Sequence, residues 1–339
     1  MDEGMDEGMD ERSASLHDWL TRDLGLSVRS LTPASADASF RRYFRVHLPR
    51  GTYIAMDAPP DKEDCRPFVR VAAAFAARGV NVPRIEAADL ERGFLLLSDF
   101  GDRSYLSALD ENSASGLYGD AIDTLLRLQG GGEPDDRVLP PYDETLLRQE
   151  MNLFRDWFLE RHLGMVLTPA QAADWETVSE ALVRCALAQP RVWVHRDYHS
   201  RNLMVLARDN PGVLDFQDAV LGPVTYDLVS LLRDCYVRWP EARVHDWLAR
   251  YHHQARRVGL LGDVSPGQLQ AWFDWMGVQR HLKAVGIFAR LYHRDGKPRY
   301  LGDIPRTLGY LHMVSGRYRA LAGLQRLLHA LPPVQGRRD

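Results

Sequence analysis

The residues of this chain that are best suited to catalysis lie between Val192 and Asp218. An apolar segment leads into the run H-R-D-Y-H-S-R-N at 195–202, and 18 residues after Asp197 a second apolar segment ends in L-D-F-Q-D, which contains Asp215. Phosphoryl transfer from ATP requires a group that positions the accepting hydroxyl and oxygen ligands that hold Mg²⁺ on the triphosphate. An aspartate and an asparagine in one loop, followed by an aspartate after the next strand, supply these groups. The pattern therefore predicts a kinase.

The motif H-x-D-x(4)-N, followed by an apolar strand and D-F-x-D, resembles the aminoglycoside phosphotransferase-like branch of the protein-kinase fold. The resemblance implies that Asp197 orients or deprotonates the acceptor hydroxyl and that Asn202 and Asp215 bind Mg²⁺. It also implies that His195 braces the loop, and it leaves the role of Asp218 open. We therefore expect ATP and Mg²⁺ as cofactors.

Other interpretations account for part of this segment. Asp197 could be an ordinary loop acid and Asn202 a turn residue that satisfies backbone groups. Alternatively, His195, Asp197 and His199 could bind Zn²⁺, because imidazole and carboxylate are standard ligands and alternate residues of an extended segment point the same way. The zinc hypothesis leaves Asn202 and Asp215 without a role.

The composition indicates a globular protein with a separate acidic tail. The chain has 339 residues, 45% of them hydrophobic, which is enough for one large domain or two coupled domains. Residues 1–11 repeat the tetrapeptide M-D-E-G with six acids and no base, so we expect residues 1–13 to be a disordered, solvated tail. Without those six acids the net charge of −4 becomes +2. A balanced body of this kind argues against nucleic acid as a partner.

The cysteines and the N-terminus indicate a cytoplasmic protein. Cys65, Cys185 and Cys235 are odd in number, widely separated and without metal-binding spacing, which suits reduced thiols. The N-terminal residues lack the cationic region and apolar core that are typical of a signal peptide, and no apolar run approaches the roughly 20 residues that cross a bilayer. We expect no membrane partner, and the sequence indicates no particular oligomeric state.

The hydrophobic pattern predicts an α+β, two-lobed, protein-kinase-like fold, with a small antiparallel-sheet lobe at 14–98 and a larger, mainly helical lobe at 99–339. In the small lobe the predicted order is a packing helix, a hairpin, a helix and a second hairpin. These elements are a helix near Leu16–Leu24, strands at 40–46 and 53–56, a helix at 66–78, and strands at 85–88 and 94–97.

In the large lobe, helices are predicted before and after the catalytic segment. Thr168, Pro169 and Gln171 form a helix start signal with a capping hydroxyl, a proline in the first turn and a glutamine at the third position. The predicted helices cover 117–128, 144–163, 168–190 and 223–234, and most of the hundred or so residues after 234.

The segment L-L-L-S-D-F-G at 95–101 resembles the one that links the lobes in this family and pairs with adenine through backbone groups. By that resemblance, the carbonyl of Ser98 and the amide of Phe100 would bind the nucleotide. A strand end followed by a glycine turn would have the same sequence.

Two features of the kinase pattern are missing from the small lobe. Small and polar residues replace the glycine-rich loop, so Ser35 or Ser39 and backbone amides would have to contact the phosphates. Asp57 occupies the position where the strand lysine is expected, and Lys62, with Glu63 as its partner, or else Arg42, is the predicted substitute. These departures leave a nucleotide-binding pseudokinase as an alternative.

The acceptor is predicted from other segments. S-A-D-A-S-F-R-R-Y-F-R at 35–45, M-D-A-P-P-D-K-E-D-C-R-P-F at 56–68 and Q-R-H-L-K-A-V-G-I-F-A-R-L at 279–291 resemble the anomeric N-acetylmuramate/N-acetylglucosamine kinases of bacterial cell-wall recycling. The resemblance implies transfer from ATP to the C1 hydroxyl of the amino sugar. An aminoglycoside or choline kinase is the alternative within the superfamily.

Six basic residues against one acid in 279–299 would attract a lactyl carboxylate and repel a cationic aminoglycoside, although a solvated helix face has the same composition. Glu150, Asn152 and Arg155, on the helix before the catalytic loop, are the predicted sugar contacts.

Overall fold

The computed structural model describes residues 4–35, 40–130 and 137–333, and their side chains except those of 4–10 and Ser35. The chain divides into two compact units, the first formed by Met1–Ala73 with Val82–Gly101 and the second by Ala74–Asn81 with Asp102–Asp339. The lobe boundary predicted after residue 98 lies close to the end of the first unit at Gly101.

The first unit contains a five-stranded antiparallel sheet in the order β1-β2-β3-β5-β4. Gly51 adopts φ +80° at the turn between β2 and β3, a conformation that glycine allows without steric cost. The strands are β1, Ser30–Ser35; β2, Arg42–His47; β3, Thr52–Asp57; β4, Ile85–Asp89; and β5, Phe94–Ser98.

Strand β1 was not predicted from the sequence. It pairs with β2 alone and its register shifts between Pro33 and Ser35. An edge strand tolerates proline because one side of its backbone needs no partner, so the usual alternation of apolar and polar residues is weak there.

Helix α1, Gly4–Asp18, continues as a short π-helix, Trp19–Asp23. As predicted, Leu16 and Trp19 pack in the core of this unit, against sheet residues that include Phe94. The helix extends back to Gly4, into the segment expected to be a disordered tail. Acidic residues near a helix N-terminus are favoured by the helix dipole, which the composition argument did not take into account.

The second unit is mainly helical, with two short antiparallel strand pairs, β6–β9 and β7–β8. Helix α2, Arg66–Ala77, precedes β4 and ends in this unit. The other helices are α3, Tyr105–Ala108; α4, Ala114–Gly130; α5, Glu144–Leu153; α6, Pro169–Leu187; α7, Tyr226–Leu232; α8, Glu241–Arg257; α9, Pro266–Asp295; α10, Ile304–Ser315; and α11, Ala322–His329. The strands are β6, Arg191–Val194; β7, Leu203–Met204; β8, Gly212–Val213; and β9, Val220–Pro223.

Within the described residues, this unit has three further helical segments. A π-helix, Phe154–His162, continues α5, and 3₁₀ turns lie at Pro298–Asp303 and Arg319–Leu321. The predicted start of α6 is confirmed, because the hydroxyl of Thr168 accepts the backbone N–H of Gln171 and the Gln171 side chain bonds back to Thr168. This capping box fixes the first turn of the helix that leads to β6.

The two strand pairs hold the predicted catalytic segments. The run at 195–202 connects β6 to β7, and Asp215 lies between β8 and β9. The sheet unit and the helical unit confirm the predicted α+β, two-lobed fold. Among the helices of the described residues, none combines the length and apolar character that a bilayer crossing requires.

Candidate active site

The structure brings Asp197, Asn202 and Asp215 together. The side-chain amide of Asn202 donates to the backbone carbonyl of Asp197 at 3.0 Å and to Oδ2 of Asp215 at 3.2 Å. The backbone N–H of Leu214 donates to the carbonyl of Asn202 at 2.9 Å, which ties the catalytic loop to the strand before Asp215. The three residues that the motif singled out therefore lie next to one another, with Asp197 contacted through its backbone.

His195 is buried under the loop and is bonded through both ring nitrogens. The backbone N–H of Asp197 donates to Nδ1 at 3.2 Å, so Nδ1 carries no proton and Nε2–H donates to the carbonyl of Leu214 at 2.9 Å. Burial lowers the pKa of His195, against the opposing effect of nearby acids, which agrees with a neutral ring. Because its ring nitrogens bond to the loop and to the strand before Asp215, His195 is placed to brace the site.

Two acids near the ends of α7 hold the loop by its backbone. Asp227 accepts the N–H of His195 at 2.6 Å and the N–H of Arg196 at 3.0 Å. Asp234 accepts the N–H of Ser200 at 2.9 Å and that of Tyr236 at 2.8 Å. Burial raises the pKa of Asp227 to about 6, so its carboxylate is ionised at neutral pH and can accept both bonds.

The backbone is strained at two positions of the site. Arg196 has φ +76° and Asp215 has φ +62°, in the left-handed region that residues with a Cβ rarely adopt. Such strain persists only where the surrounding contacts enforce it, and it is concentrated at functional sites. Here the contacts are those of Asp227 with Arg196 and those of Asn202 and Gln217 with the Asp215 side chain.

Asn202 and Asp215 fit a Mg²⁺ ion. Mg²⁺ takes oxygen ligands, often only one or two carboxylates, and completes its shell with water and substrate phosphates. Asp215 is exposed and its Oδ2 accepts a hydrogen bond from the Asn202 side-chain amide, so the carboxylate and the amide group lie side by side. Asp218 is also exposed, and the Gln217 side chain lies between the two acids, at 2.8 Å from Asp215 and 3.5 Å from Asp218.

The zinc hypothesis has no support in the geometry. His195 uses both ring nitrogens for backbone bonds. Within 4–35, 40–130 and 137–333, no group of three or more His, Cys, Asp or Glu residues is arranged to hold a metal ion.

The carboxyl group of Asp197 is kept ionised by cations around it. Burial alone would raise its pKa, but Lys283, together with Arg280 and Arg196, outweighs that effect and lowers the pKa to about 2. The group is therefore a carboxylate at every physiological pH. A base this weak orients a hydroxyl by accepting its hydrogen bond and takes the proton only late in the reaction.

Glu150 fixes two of these cations. Its carboxylate is buried and pairs with Lys283 at 2.9 Å and with Arg196, and it also accepts hydrogen bonds from Tyr142 and Gln279. Glu150 was predicted as a sugar contact, but its oxygens are surrounded by protein donors. The structure instead places it where it positions the charges around Asp197.

The close packing of α9 on α5 allows this pairing. A Cβ on Gly286 would lie 2.3 Å from the carbonyl carbon of Leu153, so only glycine permits the two helices to approach this closely. The approach brings Lys283 of α9 to Glu150 of α5.

A cavity of about 70 Å³ opens beside Asp197. Its walls combine loop, aromatic and cationic side chains: Asp197 and His199 from the loop, Tyr236 after α7, and Arg280, Lys283 and Phe288 from α9. An aromatic wall beside charged hydrogen-bond donors is suited to a small polar molecule with an apolar face.

Sequence reasoning missed several of these residues. Asp234, Tyr236 and Phe288 come from segments far from the catalytic loop, and no local pattern marks them. Arg280 and Lys283 were counted only within a group of six basic residues. Their separation of three positions on one helix was a signal that both share a face.

The six basic residues of 279–299 do not form one surface. Arg280 and Lys283 are buried at the cavity, whereas Arg294 is exposed and pairs with the adjacent Asp295 at 2.6 Å. The side chains of Asn152 and Arg155 are partly buried, and Arg155 pairs with the adjacent Asp156 at 2.7 Å.

In the first unit, the position of the expected strand lysine carries a buried acid. Asp57 accepts Nε of Arg12 at 3.0 Å on one oxygen and Nε of Arg42 at 2.9 Å on the other. Arg42 lies directly opposite Asp57 in the pairing of β2 with β3. Arg12 belongs to the segment that was predicted to be a disordered tail, and this bond fixes its side chain.

The other residues of the first unit that were predicted to contact the nucleotide lie in the following positions. Lys62 is exposed and lies over the ring of Phe40 at 5.0 Å, and its expected partner Glu63 pairs instead with Arg41 at 2.9 Å. Ser98 ends β5.

Phe100 lies in the following turn, where the side chain of Asp99 accepts the N–H of Gly101 at 2.8 Å. Ser35 ends β1, with its side chain outside the described part, and Ser39 lies outside the described residues.

The chain is similar to known phosphotransferases. Residues 30–261 match the model of the phosphotransferase enzyme family. The chain is 53% identical over 302 residues to an N-acetylmuramate/N-acetylglucosamine kinase of Pseudomonas putida, covering 89% of this chain and 88% of the relative. It is 54% identical over 302 residues, with the same coverage, to a protein of the same name from Pseudomonas aeruginosa.

Among solved structures, the ADP-bound aminoglycoside phosphotransferase APH(2'')-Ib has a TM-score of 0.56 and 16% identity, covering 89% of this chain and 98% of that one. This likeness shows the shared fold. The family match and the identities to the two relatives show that the chain belongs to the phosphotransferase enzyme family.

Proposed function

We propose that this protein transfers the γ-phosphoryl group of ATP, with Mg²⁺, to the anomeric C1 hydroxyl of N-acetylmuramate and N-acetylglucosamine. The observation that carries the proposal is the convergence of Asp197, Asn202 and Asp215 in a chain 53% identical to a relative named for these two sugars. The proposed setting is cytoplasmic recycling of cell-wall amino sugars.

In the proposed reaction, Asp197 accepts the hydrogen bond of the sugar hydroxyl and aims its oxygen at the γ-phosphorus. A bond forms between that oxygen and phosphorus while the bond from phosphorus to the bridging oxygen of ADP breaks. The hydroxyl proton passes to Asp197 as the new bond forms, in keeping with the low pKa of this carboxylate. Asn202 and Asp215 would hold Mg²⁺, which neutralises charge on the phosphates.

The charges of the cavity favour a neutral or acidic sugar. Arg280 and Lys283 line it, and they would repel the ammonium groups of an aminoglycoside or of choline. The aromatic rings of Tyr236 and Phe288 offer an apolar face to a sugar ring. These features support an amino sugar over the cationic substrates of other phosphotransferases.

For the nucleotide, we assign the adenine contacts to the backbone of Ser98 and Phe100. We assign the phosphate contact to Arg42 in preference to Lys62, with Ser35 as a further contact. Arg42 is held in place by Asp57, whereas Lys62 is exposed and lies on an exposed ring. A guanidinium with a fixed direction loses less entropy on binding a phosphate than a free lysine does.

The test is a substrate panel with the purified full-length chain, ATP and Mg²⁺. N-acetylmuramate, N-acetylglucosamine, an aminoglycoside and choline are supplied separately, and phosphorus NMR identifies each product. We expect an anomeric phosphate from both amino sugars and no product from the two cationic compounds. A C6 phosphate ester, turnover of the cationic compounds alone, or no turnover of any compound would contradict the proposal.

A further inference from the structure

Arg201 lies next to Tyr236, a residue of the cavity wall. It belongs to the same loop as Asp197 and is exposed, and its guanidinium carbon lies 3.8 Å from the ring centre of Tyr236. The ring of Tyr300 lies 5.7 Å from the same carbon. Tyr236 also lines the cavity beside Asp197, so the Arg201 guanidinium stacks on a residue that belongs to the cavity wall.

Within the described part of the chain, Arg201 forms no ion pair and no side-chain hydrogen bond. The positive charge of Arg201 acts to lower the pKa of Asp303, but the Asp303 carboxylate forms its ion pair with Arg306, at 2.9 Å. Stacking on a ring engages the face of a guanidinium and leaves its N–H groups free in the plane, where they match the two oxygens of a carboxylate.

Arg280, which lines the cavity itself, has a different environment from Arg201. It is 5% exposed, its Nη1 contacts the sulfur of Cys235 at 3.7 Å, and its Nε has no hydrogen-bond partner in the described residues. A buried donor without an acceptor costs free energy, so a substrate that satisfies Arg280 is favoured over one that does not.

Arg280 is buried and Arg201 is exposed, and this difference determines how much binding free energy is lost when a substrate lacks the group that each arginine would bind. A buried group that is built to bond one substituent rejects an analogue lacking it, because the group is then left unpaired. An exposed arginine is hydrated when its partner is missing, so the loss is small. A cavity that takes both an acid and its neutral counterpart therefore needs its carboxylate receptor at an exposed position.

We propose that Arg201, stacked on Tyr236, forms a subsite for the carboxylate of an acidic substituent on the sugar. Arg280 instead bonds an oxygen that every accepted sugar carries. The inference rests on the proposed function, in which the acidic sugar is N-acetylmuramate, with its lactyl group, and the neutral sugar is N-acetylglucosamine. It accounts for the acceptance of both by one cavity.

The test compares the two sugars in Arg201→Gln. The ratio of kcat/KM for N-acetylmuramate to that for N-acetylglucosamine should fall about tenfold, the lower end of the value of a charge-assisted hydrogen bond. Arg208→Gln, which removes another exposed arginine from the following loop, should keep the wild-type ratio. Arg280→Gln should lower both kcat/KM values and leave the ratio within about twofold of wild type, since its bond is common to both sugars.

Two further measurements distinguish the loss of a carboxylate contact from a general loss of substrate binding or of folding. The methyl ester of N-acetylmuramate should show equal kcat/KM in wild type and Arg201→Gln, because it carries no charge to bind. Thermal melting of each variant shows whether it is folded.

A ratio for Arg201→Gln within twofold of wild type would overturn the subsite, as would an equal fall for both sugars. If the wild-type protein phosphorylates neither sugar, the proposed function fails instead.

Discussion

The two units of this protein differ in how closely their charged residues follow the kinase pattern. In the second unit, the Asp–Asn–Asp set is complete and is bonded together, as the family pattern requires. In the first unit, an acid stands where the pattern has a lysine, and two arginines reach it from β2 and from α1. The second unit therefore has the residues of the family pattern, whereas the first unit has an acid paired with arginines at the position of the expected lysine.

The difference reflects what each role demands. A base and metal ligands must lie within a few tenths of an ångström of productive positions, so their residue types and spacing change little. A cation that attracts phosphates acts through a Coulomb interaction that falls off slowly with distance, and it can be supplied from a neighbouring strand. In the pairing of β2 with β3, Arg42 faces Asp57, so acid and base occupy opposite positions on adjacent strands.

The largest effect is expected from Asp197→Asn. The amide keeps the shape of the side chain but cannot accept the hydroxyl proton, so kcat should fall about 10²–10⁴-fold while nucleotide affinity changes little. Steady-state kinetics and a nucleotide-binding titration check this. Asp209→Asn, in the exposed loop before β8, is the matched control and should retain wild-type turnover. A variant with nearly normal kcat would remove Asp197 from its role. Only an absence of turnover in the wild-type protein would favour the pseudokinase alternative.

The next effect concerns the metal ligands. In Asp215→Asn the charged ligand is lost, and the Mg²⁺ concentration for half-maximal rate should rise about 10–100-fold. Asp218→Asn removes an equally exposed acid three residues later and should shift the Mg²⁺ titration much less. Equal shifts in the two variants would show that general negative charge matters here, not direct ligation.

The proximity of Asp197, Asn202 and Asp215 could be predicted because the family motif is defined by local spacing. The separations between Asp197, Asn202 and Asp215 are visible in the sequence, and the structure places all three together. The hairpin of β2 and β3 and the capped start of α6 followed from alternation and cap residues in the same way.

The rest of the site depends on contacts between distant segments. Glu150 was chosen for its position on a helix, but its role is set by Lys283, 133 residues later, and by Arg196. Strand β1 exists because β2 offers it a partner, and its own residues carry little signal. Arg12 was assigned to a tail because composition does not reveal the buried acid that it pairs with.

The third prediction tests the replacement of the strand lysine. If Arg42 contacts the nucleotide phosphates, Arg42→Met should raise the KM for ATP about tenfold, the value of one charge-assisted bond. Arg12→Met removes the other guanidinium from the same carboxylate and should affect KM less, and Lys62→Met should have a small effect. Similar KM values in the Arg42 and Arg12 variants would mean that both arginines only neutralise Asp57.

The smallest effect is expected in the pH dependence. Because the pKa of Asp197 is about 2 in the folded protein, its ionisation contributes stability that is present above the ordinary aspartate pKa of about 4. This contribution is lost only as the pH falls through about 2. Protonation of Asp197 should therefore produce no decline of kcat/KM between pH 5 and pH 7 in the wild-type enzyme.

In Lys283→Met the cation that does most to lower this pKa is removed, while burial still favours the protonated acid. The pKa of Asp197 should rise, and an acidic decline should enter the measurable range of the pH–rate profile. Arg290→Met, a control on the same helix away from the residues that line the cavity, should keep the wild-type profile. An unshifted acidic limb in Lys283→Met would mean that the Glu150–Lys283 pair supports the fold of α9 without controlling the charge of Asp197.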